Sequence, residues 1–131
     1  MRLQALRGAI SCDHDSVDEI ERRTQELVAA MVERNGVDHE DIVSVIFTAT
    51  EDLVSEFPAK AARGIGLGDV PLICARELAI EGSMPRVIRV LMHIHTDRPR
   101  AELQHVYLGA ARRSEEHTSE LQSPCNLVCR L

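Results

Sequence analysis

Two arginines in this chain sit where a sheet would bury apolar side chains. Arg89 lies in the middle of Arg86–Asp97 (RVIRVLMHIHTD), a run β-branched and apolar enough to be a central strand. On a strand, Ile88, Val90, Met92 and Ile94 point one way, and Val87, Arg89, Leu91 and His93 the other, so one face is core and the other carries a cation. A guanidinium in that position asks for a carboxylate partner or an anionic ligand, because an unmatched buried charge is costly. Arg7 repeats the pattern among small apolar neighbours of a first strand. Lys60 and Arg63 are three apart in a helical stretch and share one face. These cations could gather a small anion, and the chain also offers Glu77 after Cys74 and Tyr107 near the end of the domain. Each also has a plainer reading: Tyr107 as core, Glu77 as an ion-pair partner of Arg76 or Arg89, Lys60 and Arg63 as a solvated helix face, Cys74 as a small packing residue. His93 and His95, with His105 on a neighbouring strand, have the spacing of metal ligands, but paired histidines at a strand end are more commonly surface residues, and no metal is assigned.

The elements that must position these groups follow from periodicity. Residues 2–11 read as a strand, with Leu3, Ala5, Arg7 and Ala9 alternating against Gln4, Leu6, Gly8 and Ile10. Ser16-Val-Asp-Glu19 has capping-box spacing for a helix whose expected buried stripe is Val17, Ile20, Thr24, Leu27, Val28 and Met31, and Asn35-Gly36 ends it. A second strand is expected at residues 42–48, a short helical segment from Thr50 to Leu53, and a helix over residues 57–63 with Pro58 at its first position. Gly64, Gly66 and Gly68 read as a flexible link, residues 70–74 as a third strand, residues 99–103 as a helical turn and residues 105–108 as a last strand. Irregular alternation of strands with one long and several short helices predicts an α+β fold with a mixed sheet.

Composition narrows the function. With 131 residues and 44% hydrophobic content the chain is expected to form one domain, and with one Tyr, two Phe and no Trp its core must be aliphatic. A net charge of −6 argues against non-specific binding to nucleic acid or acidic membranes, so an anionic substrate would have to be captured by a local cluster of Arg and Lys. The N-terminus has no apolar leader core, no run approaches membrane-spanning length, and a cytoplasmic protein is expected. Two of the four cysteines, Cys12 and Cys74, lie in apolar contexts without metal-type spacing.

The other two belong to a C-terminal stretch of a different kind. Residues 113–123 (RSEEHTSELQS) and 127–131 (LVCRL) back-translate to the two constant parts of an indexing adapter used in short-read sequencing, with residues 124–126 in the place of its barcode. Residues 1–112 are therefore expected to be the domain and residues 113–131 an artefactual, disordered tail, so that His117, Cys125 and Cys129 carry no functional argument.

Taken together and in order, RGA at residues 7–9, FPAKAAR at 57–63, CARE at 74–77, IRV at 88–90 and HVYL at 105–108 resemble the AroH-type (class II, monofunctional) chorismate mutases, from Met1 to about Leu108. The resemblance implies a pseudo-α/β-barrel homotrimer with active sites between subunits. It also implies cofactor-free rearrangement of chorismate to prephenate in phenylalanine and tyrosine biosynthesis. It would draw Arg7, Glu77, Arg89 and Tyr107 from one subunit, and Phe57, Ala59, Lys60, Arg63, Leu72, Ile73 and Cys74 from its neighbour. Leu72 and Ile73 replace smaller or more polar residues common in that family, and its C-terminal extension is missing, with Ser114 and Glu115 near those positions. The competing expectation is a non-catalytic trimeric small-molecule binder of similar fold, which would not require Arg89 together with Glu77.

Overall fold

A computed structural model describes residues 1–112. Five strands form one mixed sheet: β1 (Arg2–Ser11), β2 (Ile42–Ala49), β3 (Leu72–Arg76), β4 (Val87–Thr96) and β5 (Val106–Leu108), in the spatial order β3-β2-β4-β1-β5. Two helices, α1 (Val17–Arg34) and α2 (Pro58–Ala62), accompany the sheet among the described residues. The centre of the sheet is antiparallel, β4 pairing with β1 and β2, while each outer strand runs parallel to its neighbour. The α+β class with a mixed sheet expected from the sequence is the fold observed.

Alternation on the strands decides which face is core. Leu6 and Ile10 of β1, Val45 and Phe47 of β2, and Ile88, Val90, Met92 and Ile94 of β4 are buried together with Ile20, Leu27, Val28 and Met31 of α1. Each such large apolar side chain contributes about 1.5–3 kcal/mol by leaving water. Gly8 permits the close approach of β1 and α1, since a Cβ there would meet Met31 Sδ at 2.6 Å and Leu27 Cδ1 at 3.1 Å. The opposite face carries no helix among the described residues, and it is where Arg7 and Arg89 point.

Helix α1 is closed at both ends by its own sequence. The Ser16 hydroxyl accepts the Glu19 backbone N–H at 3.2 Å. Instead of reaching back to Ser16, the Glu19 carboxylate accepts from the Asp13 N–H at 2.6 Å and from Arg22 and Arg23. These donors hold its carboxyl well below the usual range, at about 2. At the other end Gly36 takes φ +59°, and the Val37 N–H reaches the Val32 carbonyl at 3.0 Å, satisfying a carbonyl of the last turn. Contrary to expectation, Val17 is exposed at the helix's first position and Glu19 is buried in its stead.

Three further expectations need correction. Thr50–Leu53 forms a single turn rather than a helix. The Thr50 hydroxyl accepts the Val87 N–H, and the Asp52 carboxylate accepts the Arg86 N–H, so both side chains serve the start of β4 instead of a growing helix. The third strand begins two residues later than expected, because Val70 closes a turn onto Leu67 and Pro71 has no N–H to give a ladder. The glycine-rich link over Arg63–Leu67 is a kinked turn, in which Ile65 and Gly66 leave helical backbone and Gly66 adopts φ +100°.

Candidate active site

Directly paired residues on neighbouring strands share a face, so the register alone assembles the site. Arg89 stands opposite Ala9 on one side and Thr48 on the other, Arg7 opposite Leu91, and Tyr107 beside Ala9. These residues line a groove of about 350 Å³ on the open face, floored by Ala9, Ile46 and Leu91. Tyr107 packs beside a small cluster of Ala9, Val87 and Ala111, which sets its ring at one wall. His105, just before β5, accepts the Arg7 backbone N–H on Nδ1 at 3.0 Å, and burial together with the Arg7 charge holds its imidazole below the usual pKa.

Glu77 lies one residue beyond β3, where its N–H donates to the Ala49 carbonyl at 3.0 Å. Its carboxylate turns back toward the sheet centre. Oε1 pairs with Arg89 Nη1, and Oε2 accepts the Thr48 hydroxyl at 2.8 Å. With the Arg89 side chain 32% and that of Glu77 17% exposed, the pair is partly screened from water, and Glu77 supplies the carboxylate that a strand-borne guanidinium requires. Arg7, Glu77, Arg89 and Tyr107 are thus brought together within one chain. Thr48 was not anticipated. Its signal was present only in the alternation of β2, where Ser44, Ile46 and Thr48 face away from the core.

The remaining expected residues sit elsewhere. Phe57, 70% exposed at the N-terminus of α2, and Cys74 line a second groove of about 380 Å³ beside the outer strand β3, which shares no residue with the first. The buried Ala59 donates its N–H to Cys74 Sγ at 3.4 Å. Lys60 is exposed and pairs with Glu56 at 3.2 Å; the Phe57 N–H, and after it Lys60, holds the Glu56 carboxyl below its ordinary range. Arg63 is exposed at the end of α2. Alternation on β3 separates two neighbours: Leu72 packs against the core, while Ile73 is 61% exposed on the open face.

Of the histidines, His93 hydrogen-bonds Ser44 at 3.3 Å and His95 is exposed at the end of β4. Among the described residues no group of three His, Cys, Asp or Glu side chains is arranged to hold a metal ion, and no helix is long and apolar enough to cross a membrane.

The profile of the family described as chorismate mutase type I matches residues 3–116. The chain belongs to that family. The chorismate mutase AroH of Thermus thermophilus is 49% identical over 110 residues, covering 83% of this chain and 90% of that protein. That of Bacillus subtilis is 38% identical over 109 residues, covering 82% and 86%. A solved chorismate mutase from Clostridium thermocellum superposes with a TM-score of 0.82 at 43% identity, over 84% of this chain and 98% of that one. The chorismate mutase fold therefore spans β1 to β5, and the groove with Arg7, Arg89 and Tyr107 lies within it. The adapter-like stretch 113–131 lies outside the described residues.

Proposed function

We propose that this chain catalyses the cofactor-free rearrangement of chorismate to prephenate, a step of phenylalanine and tyrosine biosynthesis. The observation that carries the reading is the open-face groove in which Arg89, held by Glu77, faces the same side as Arg7 and Tyr107, in a chain of the chorismate mutase family. Chorismate is a dicarboxylate with a secondary hydroxyl and an enol ether. Within one molecule a C–O bond breaks and a C–C bond forms, so no nucleophile, metal or redox group is needed. The protein must hold the side chain over the ring, a geometry that water does not favour. It must also stabilise the negative charge that grows on the ether oxygen, which a fixed guanidinium at Arg89 does better in the transition state than in the ground state. Arg7 and Tyr107 orient a carboxylate, and Glu77 accepts a hydrogen bond from the substrate hydroxyl.

The second groove supplies the rest when contributed by a neighbouring subunit of a homotrimer. Phe57 and Cys74 line this groove; Ala59, Leu72 and Ile73, outside its lining, are assigned with them to substrate binding, and Lys60 and Arg63 to drawing in the dianion against the acidic whole. This arrangement is supported by the separation of the two grooves in one chain and by apolar side chains such as Leu3 and Ile73 left exposed on it. The enzyme is assigned to the cytoplasm. Residues 1–112 constitute the catalytic domain, and residues 113–131 an adapter-encoded replacement of the family's C-terminal extension.

A spectrophotometric assay of chorismate loss tests the reading. The purified chain converts chorismate to prephenate at a rate unchanged by EDTA. Binding of chorismate without turnover would instead identify a non-catalytic binder, and activity lost to EDTA and regained with zinc would redirect attention to the histidines.

A further inference from the structure

We infer that His105 is a positioning residue for the same site: its imidazole, by taking the Arg7 backbone N–H, ties the strand that carries Arg7 to the strand that carries Tyr107. The inference rests on the chorismate mutase reading and concerns how the two groups assigned to a substrate carboxylate keep their spacing. The parallel pairing of β1 with β5 runs only from Gly8↔Val106 to Ile10↔Leu108, so the backbone ladder stops one residue short of Arg7. At that point His105 Nδ1 accepts the Arg7 N–H at 3.0 Å, adding a side-chain rung where the backbone rungs end. Acceptance at Nδ1 requires a neutral imidazole with its proton on Nε2. Burial and the neighbouring Arg7 charge both favour that neutral form. The groove's lining includes Arg7 and Tyr107 but not His105, which therefore acts on the substrate through them.

Strand β5 is three residues long and lies at one edge of the sheet, so it has little backbone pairing with which to hold Tyr107 in place. Side chains clip it at both ends. Before it, the buried Asn35 at the end of α1 donates from Nδ2 to the Gln104 carbonyl at 2.8 Å and accepts the Gln104 N–H on Oδ1 at 2.8 Å. After it, the Ser11 hydroxyl accepts the Ala110 N–H at 2.8 Å. The Asn35 clip fixes the backbone immediately before His105 and so aims the imidazole at β1. Of these contacts, the one made by His105 reaches a residue that projects into the groove. Arg7 and Tyr107 orient a carboxylate in the ground state and the transition state alike. Loosening their spacing therefore weakens binding uniformly and shows in KM more than in kcat.

His105→Phe keeps a planar ring and removes the acceptor, whereas His105→Asn keeps an acceptor oxygen at the same place along the side chain as Nδ1. In the full chain, with folding checked by thermal melts, His105→Phe raises KM for chorismate about fivefold, the scale of one neutral hydrogen bond, and changes kcat by less than about twofold. His105→Asn brings KM to within about twofold of the wild type, on the same reasoning. A wild-type KM in folded His105→Phe, an equal rise in His105→Asn, or a loss confined to kcat would each overturn the inference. Hydrogen exchange of the Arg7 amide, followed by NMR, forms an arm that needs no activity. Slow exchange in wild type and His105→Asn, with exchange about tenfold faster in His105→Phe, supports the inference. Fast exchange at Arg7 in the wild type, or equal exchange in all three proteins, overturns it, and the wild-type measurement holds whether or not the Phe variant folds. A wild-type chain that leaves chorismate untouched would overturn the proposed reaction, while exchange at Arg7 still decides whether His105 holds that strand.

Discussion

A guanidinium in the middle of β4 is tolerable because three strands contribute to its surroundings. β4 carries Arg89 and β2 places Thr48 opposite it, while the chain leaving β3 turns Glu77 back onto the pair. A lysine at this position could still meet Glu77 as a point charge, but it could not present a planar fork to an ether oxygen and a carboxylate at once. Arg89→Lys should therefore leave the fold intact and lower turnover by about 10²–10³ or more, the scale set by losing one transition-state donor. Steady-state kinetics beside a melting curve check this, and near-wild-type turnover in a folded variant would remove Arg89 from its assigned role. Part of this arrangement was legible in advance. An arginine at a core-like strand position asked for a carboxylate or an anionic ligand, and Arg89 was one of two ion-pair partners the sequence offered Glu77, the other being Arg76. Thr48 could not be singled out, because a threonine on a strand has no distinctive pattern until the register shows what stands opposite it.

At the scale of elements, residues with a strong period fell where periodicity put them. β1, β4 and α1 each bury the face that their alternation or helical stripe specifies, and Ser16 and Gly36 close α1 as capping chemistry requires. Misreadings occurred where side chains bind backbone at long range. Thr50 and Asp52 are committed to the N–H groups of Val87 and Arg86, which no local pattern reveals, and Glu19 takes a buried place because Asp13, Arg22 and Arg23 satisfy its charge. Glu19 consequently makes the stability of α1 sensitive to acid. Its folded-state pKa of about 2 lies below the ordinary 4.5, so its contribution is complete above about pH 4.5 and is lost as pH falls through about 2. Glu19→Gln should lower stability by about 2 kcal/mol at neutral pH, the scale of hydrogen bonds to a charged group. The gap between wild type and variant should narrow as pH drops from about 4.5 toward 2. Urea unfolding of both proteins across that range measures it, and a gap independent of pH would mean that the buried carboxylate does not stabilise α1 through its charge.

For the whole molecule, the decisive feature is that one chain presents two separate grooves. Arg7, Arg89 and Tyr107 line the groove on the open sheet face, and Phe57 and Cys74 line another beside β3, with no residue in common. Joined across a subunit boundary, the groove with the two arginines and the one with Phe57 would surround a dianion that neither encloses alone, and every subunit of a closed ring would both give and receive half a site. Mixing two inactive variants tests this most directly. Arg89→Ala chains and Phe57→Asp chains, each without turnover alone, are combined and their exchange of subunits confirmed by native mass spectrometry, after which chorismate consumption is followed. The account predicts that activity returns, because hybrid assemblies contain some sites with both halves intact. Confirmed exchange with no return of activity would contradict it.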